Sequence, residues 1–158
     1  MRLFSKDLTD GQTMPQRHVF NGMGYQGGNL SPQLYWEDAP AATRSFVITC
    51  FDPDAPTGSG WWHWVVVNIP AGNSEIEQGA GSGIAPLPAG ALQTRTDFGS
   101  SVYGGAAPPQ GEKHRYVFTV HALDSDLIEV DSHASGAMVG FNVHFHSLAS
   151  ASLTVTFN

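Results

Sequence analysis

Glycine and proline set the terms for this chain. Its 18 glycines and 10 prolines are spread along the whole length rather than gathered in one linker. Both interrupt helices and favour turns, glycine through backbone freedom and proline through its fixed φ and missing N–H. Between them lie short runs of alternating or β-branched residues, which suit pleated strands. Residues 45–52, 61–69, 114–123 and 150–157 read as strands. Residues 29–36 read as a weaker one, because Pro32 confines it to an edge or a bulge. A period of two puts Trp61, His63, Val65, Val67 and Ile69 on one face, and His114, Tyr116, Phe118, Val120 and Ala122 on one face of another strand. The stretch 79–90 has almost no charge or periodicity and reads as an irregular loop. Near the C-terminus Met138, Phe141, Phe145 and Leu148 recur at helical spacing, with Ser132 or Ser135 as the cap. The expected architecture is mostly β: an antiparallel, Greek-key-type β-sandwich with one or two short helices near the C-terminus, forming a single domain over residues 1–158.

Composition narrows the function classes. With 158 residues and 41% apolar residues the chain can bury a real core. Seven Lys+Arg against 14 Asp+Glu give a net charge of −7. That argues against nucleic acid and anionic membrane as partners, since both need a basic footprint. Only 13% of residues are charged, against ~25% in an average domain. Together with the apolar side chains left after one core is filled, this predicts a homodimer. Cys50 is the only cysteine and lies in an apolar run, so it is expected to be buried and reduced. The N-terminus carries no secretory leader pattern, and no stretch approaches the ~18 apolar residues of a membrane span. The expected location is the cytoplasm.

Four elements carry side chains suited to chemistry. Asp52 and Asp54 sit in Asp52-Pro53-Asp54-Ala55-Pro56, where two prolines stiffen a strand-end turn; Ala55–Pro56 is the expected cis peptide. His63 stands among Trp61, Trp62 and Trp64. His114 and Tyr116 share a strand face and follow the rigid Pro108-Pro109. Each histidine taken alone reads as a satisfied structural group. Taken together, the four elements read as one pocket. Other patterns carry less. The glycines from Gly79 to Gly83 lack the Gly-Lys-Ser/Thr of a phosphate loop. His144 and His146 are two apart, so on a helix at most one faces a site.

The ordered motifs resemble the phosphatidylethanolamine-binding protein family, in its bacterial Raf-kinase-inhibitor-like branch. They begin with Gly28-Asn29-Leu30-Ser31-Pro32 and Trp36, then run into Asp52-Pro-Asp54-Ala-Pro56. Trp61-Trp62-His63-Trp64 follows, then Tyr103-Gly104-Gly105 with Pro108-Pro109, and His114-Arg115-Tyr116. A C-terminal His146-Ser-Leu148-Ala149 resembles the ending of the bacterial branch. The resemblance spans most of residues 18–155. It implies a β-sandwich with a small, preformed anion pocket at one end, formed by Asp52, Asp54, His63, Pro108, Pro109, His114 and Tyr116. It implies a phosphate, an acetate-like anion or a head group as ligand. It also implies protein partners, kinases among them, for several family members. Two departures stand out. Ala106 replaces a common proline, and Phe141, Phe145 or His146 stands where eukaryotic members close the pocket with a tyrosine. These departures weigh against lipid and leave a phosphate-sized ligand.

No nucleophile–base pair is evident, so no reaction is assigned, and no cofactor is expected. The leading expectation is a binding module for a small phosphate-bearing anion, with His63, His114 and Tyr116 as donors and Asp52 and Asp54 behind the histidines. The alternatives are a protein-interaction or inhibitor module whose pocket is vestigial, and a metal-assisted hydrolase using Asp52, His63 and His114 as ligands.

Overall fold

The computed structural model describes residues 1–158. Its longest β-forming runs make one five-stranded antiparallel sheet. The strands are β3 (Ser45–Asp52), β4 (Trp61–Pro70), β6 (Leu92–Gln93), β7 (His114–Leu123) and β8 (Ser147–Phe157), in the order β6-β4-β3-β7-β8. A smaller sheet comprises β1 (Arg2–Phe4), β2 (Leu34–Glu37) and β5 (Glu75–Ile76), with β2 in the middle. Side chains of both sheets meet in the main core. Leu3, Leu34, Trp36 and Ile76 come from the small sheet, and Phe46, Ile48, Cys50, Trp64, Phe118 and Val155 from the large one. Cys50 is buried and free, as expected. No helix is long and apolar enough to cross a membrane.

The alternation along β7 holds as read: His114, Tyr116, Phe118, Val120 and Ala122 are all buried. Along β4 it does not. Cys50 pairs with Trp64 and Phe51 with Trp62, which leaves His63 as the extra residue of a β-bulge. A second register shift lies between the Phe46 and Ile48 pairs, beside Asn68, whose φ is +60°. Each bulge resets the period of two. Val65 and Val67 therefore face away from the main core and join Val47 and Leu123 on the opposite side of the sheet, whereas Ile69 faces inward.

The helix α1 (Gly136–His146) covers that opposite side. Ser135 caps it, its hydroxyl accepting from the Met138 N–H at 3.1 Å. The face it buries is not the one its spacing predicts. Val139 and Val143 pack on Val47, Val65, Val67 and Leu123, while Met138, Phe141 and Phe145 are exposed and Leu148 already belongs to β8. Gly136 permits the close approach, since a Cβ there would lie 2.4 Å from Trp62 Cγ. The stretch 79–90 is irregular apart from a 3-10 turn at Ala80–Ser82. No peptide bond is cis, so Ala55–Pro56 is trans, contrary to expectation; the turn holds its shape through the side-chain bonds of Asp52 and Asp54 described below.

Gly105 lies where two backbones nearly touch: a Cβ there would be 2.2 Å from His18 O and 2.6 Å from Phe20 N. Gly105→Ala is expected to force these segments apart and cost about 1–3 kcal/mol, the scale of overpacking. The urea midpoint measures the loss.

Candidate functional site

The ends of β3, β4 and β7 meet at one end of the sandwich, around a cavity of about 160 Å³. Asp52, His63, Pro108, Pro109, His114 and Tyr116 line it together. Asp54 does not. Its carboxylate turns outward and accepts from Arg115, through the backbone N–H and Nε on Oδ2 (both 2.9 Å) and through Nη2 on Oδ1 (2.8 Å). The Arg115 bond, above all, holds the Asp54 carboxyl down at about 2. This pair ties the proline turn to β7 rather than facing a ligand.

Asp52 and His114 form the floor. Both side chains are nearly fully buried, at 4% and 3% exposure, with His114 Nδ1 2.7 Å from Asp52 Oδ2. The other carboxylate oxygen, Oδ1, accepts from the Asp54 N–H at 2.7 Å. Burial opposes a charge on His114, but the bond and charge of Asp52, with Glu112 beside them, outweigh it and raise the pKa. Its Nε2 has only Glu112 Oε1 near it, at 3.5 Å, too long for a firm bond.

His63 is held differently, with no carboxylate behind it. Its Nδ1 lies 2.8 Å from Gly104 O and 3.1 Å from Gly105 O. Both are carbonyls, so the proton must sit on Nδ1. The two glycines are pinned in turn: Gly104 N–H donates to His63 O, and Gly105 N–H to Asn29 Oδ1 at 2.8 Å. Burial lowers the His63 pKa, against the raising effect of those carbonyls and of Asp52 and Asp97. One histidine of the cavity thus favours the imidazolium and the other the neutral ring.

Tyr116 stands edge-on to His63, with ring centroids 5.1 Å apart. Its hydroxyl is enclosed and has no acceptor, with the Ala107 backbone N–H turned toward its oxygen, and Trp61 Nε1 is likewise enclosed without an acceptor, although both side chains line the cavity. Burial and then the Asp52 charge push the Tyr116 ionisation well up, so it remains an O–H. Met23, Ala55, Pro56, Thr57, Trp61, Phe98 and Ala107 complete the wall and make it largely apolar. Trp61 could have been found from its place beside His63. Phe98 and Met23 left no signal in the sequence. Phe141, Phe145 and His146 are not among the lining residues; they lie on α1, and His146 bonds Asp124 at 2.9 Å. No group of three or more His, Cys, Asp or Glu side chains is arranged to hold a metal ion.

The chain belongs to the phosphatidylethanolamine-binding protein family, whose profile matches residues 4–158. It is 68% identical to the UPF0098 protein YbhB of Escherichia coli K12 over the full length of both chains. It is 49% identical to YbcL of the same organism, over 95% of this chain and 83% of that one. Among solved structures, that of Escherichia coli YbcL, described as a new member of the mammalian PEBP family, superposes with a TM-score of 0.96 at 46% identity, covering 99% of this chain and 97% of that one. A Chlamydia trachomatis homologue, CT736, gives 0.84 at 28% identity, covering 99% and 96%.

His114 is part of a buried pair, so His114→Ala does more than remove a donor. It leaves Asp52 as an unpaired buried charge, and a loss of about 3–5 kcal/mol is expected by chemical denaturation. The two histidines also shape stability against pH. His114, with its raised pKa, contributes stability that is complete below the unfolded value of 6.5 and lost as pH rises through the folded value. His63, His18 and His121, all lowered by burial, contribute stability present above 6.5 and lost as pH falls through their folded values. Stability should peak near 6.5. His114→Gln should flatten the alkaline limb alone in a pH series of urea midpoints.

Proposed function

We propose that this protein is a binding module whose cavity takes a small phosphate-bearing anion, with no reaction at the site. One observation carries the reading: three donors on cavity-lining side chains lack firm partners in the folded chain. They are His114 Nε2, and the Tyr116 hydroxyl and Trp61 Nε1, whose atoms are sealed from solvent and are reached by an anion only when the wall shifts to uncover them. An unmet buried donor costs about 1–3 kcal/mol, and an anion accepting from it recovers that cost. The volume also fits, since about 160 Å³ is below the ~300 Å³ where drug-sized pockets begin. Asp52 does not repel the anion as a free charge would, because both its oxygens are engaged by His114 and the Asp54 N–H.

Tyr116→Phe tests this cleanly. It deletes a hydroxyl that donates to no acceptor in the fold, so stability should change little. Phosphate affinity at pH 6, by calorimetry, should fall by about 0.5–1.5 kcal/mol, the worth of one hydrogen bond. Unchanged phosphate affinity in both Tyr116→Phe and Trp61→Phe would sink the donor assignment.

A second reading concerns assembly, and we propose a homodimer. β8 is the outermost strand of its sheet. Its C-terminal half is covered by residues 11–14, through the Gly11 and Met14 N–H groups on Thr154 O and Thr156 O. The half from Ser147 to Ser152 has no covering segment and contains no charge and no proline. Such an edge lacks the devices that block pairing, and two copies can meet there antiparallel about a twofold. The exposed Leu148 lies within it and the exposed Phe145 just before it. Light scattering at micromolar concentration should give twice the chain mass, and Ala149→Lys should return it to one.

A further inference from the structure

The tautomer of His63 has a consequence for what the cavity selects. With Nδ1–H committed to the Gly104 and Gly105 carbonyls, Nε2 carries a bare lone pair and has no partner in the protein. His63 is only 3% exposed and lines the cavity, so Nε2 offers its lone pair to whatever the cavity holds. A fully deprotonated anion offers oxygens only and would set an oxygen against that lone pair. An anion that keeps one proton places its hydroxyl hydrogen on Nε2 and a charged oxygen on the His114 Nε2–H.

We infer that the cavity selects phosphate groups in the monoanionic, singly protonated form, inorganic phosphate or a phosphomonoester, with His63 as the residue that reads the proton. This rests on the anion reading proposed above and adds a discrimination to it. His63 plays this part because its second nitrogen meets backbone carbonyls; a carboxylate there, as behind His114, would draw a second proton onto the ring and make it one more donor. The other titratable groups around His63 are Asp52 at the end of β3, Asp97 in the loop before Phe98, and Tyr116 and His114 on β7. Asp52 is bonded to His114 and Asp97 accepts from the Trp62 N–H at 2.7 Å, so neither supplies a proton to Nε2.

The test separates His63 from His114 by pairing ligands. Methyl phosphate, sulfate and dimethyl phosphate are titrated calorimetrically into the full chain between pH 5 and pH 8. Sulfate and dimethyl phosphate carry no proton in this range, so they report the charge on His114 alone. Methyl phosphate loses its second proton near pH ~6. At pH 5 methyl phosphate should bind at least tenfold more tightly than either control, and the ratio should fall about tenfold per pH unit well above its second pKa. In parallel, 15N spectra of the ring should show His63 with a pyridine-type Nε2 that shifts when methyl phosphate binds. Controls that match methyl phosphate at pH 5, or a His63 ring with its proton on Nε2, overturn the proton-reading role while leaving anion binding intact. Absence of binding by all three ligands overturns the anion reading itself, and this inference with it.

Discussion

A buried ion pair organises the end of the sandwich where the cavity lies. Asp52 closes β3 and His114 opens β7, and the 2.7 Å bond between them is almost sealed from solvent. Two buried charges are costly to desolvate, so the pair persists only because its remaining valences are also met. The Asp54 N–H fills the second oxygen of Asp52, and the prolines on either side keep that N–H in place. Asp54 then reaches across to Arg115, the next residue of β7, and fastens the same two strands from outside. A turn that reads as a pair of carboxylates standing behind the histidines is thus one inward clamp and one outward clamp. Between them they hold the end of β3 against the start of β7 at the cavity floor.

The other side of the cavity depends on backbone groups. Asn29, in the left-handed region at φ +49°, presents Oδ1 to the Gly105 N–H. That fixes the Gly104 and Gly105 carbonyls on which His63 is hung. Gly105 has to be glycine because the backbone of residues 18–20 passes against it. Ser31, two residues on from Asn29, accepts from the Gly81 N–H at 2.8 Å and anchors the irregular segment below Trp64. The run from Gly28 to Pro32 therefore supports the site without lining it.

The sandwich was legible because its long strands obey simple alternation or are uniformly apolar. Part of the cavity lining was legible, since proline turns and strand ends are where rigid polar groups gather, but Asp54 turns away from it and most of its apolar wall left no mark. What escaped depends on features with no local signature. The bulge at His63 changes which β4 residues face inward, and nothing in Trp-Trp-His-Trp marks an extra residue in the pairing. The short strands β1, β5 and β6 are only two or three residues long and owe their state to their neighbours. On α1 the large apolar residues suggest the buried face, yet the small Gly136 and the β-branched Val139 and Val143 occupy it. The sheet beneath is already filled by Val47, Val65, Val67 and Trp62, and only a slim helix face fits against it.

The same wall that makes the cavity small makes its polar groups strong. Phe98, Trp61 and the prolines set largely apolar surface around the two histidines, and in such surroundings partner chemistry weighs heavily on protonation. A carboxylate behind His114 favours the imidazolium, and two carbonyls behind His63 favour the neutral ring. The residues are of one type and line one cavity, and the fold favours a proton to donate on one and a lone pair to fill on the other. A symmetric pair of imidazolium rings would hold any small anion by charge. This asymmetric pair presents a donor on one side and an acceptor on the other, so what the cavity offers follows from what stands behind each ring as much as from the rings themselves.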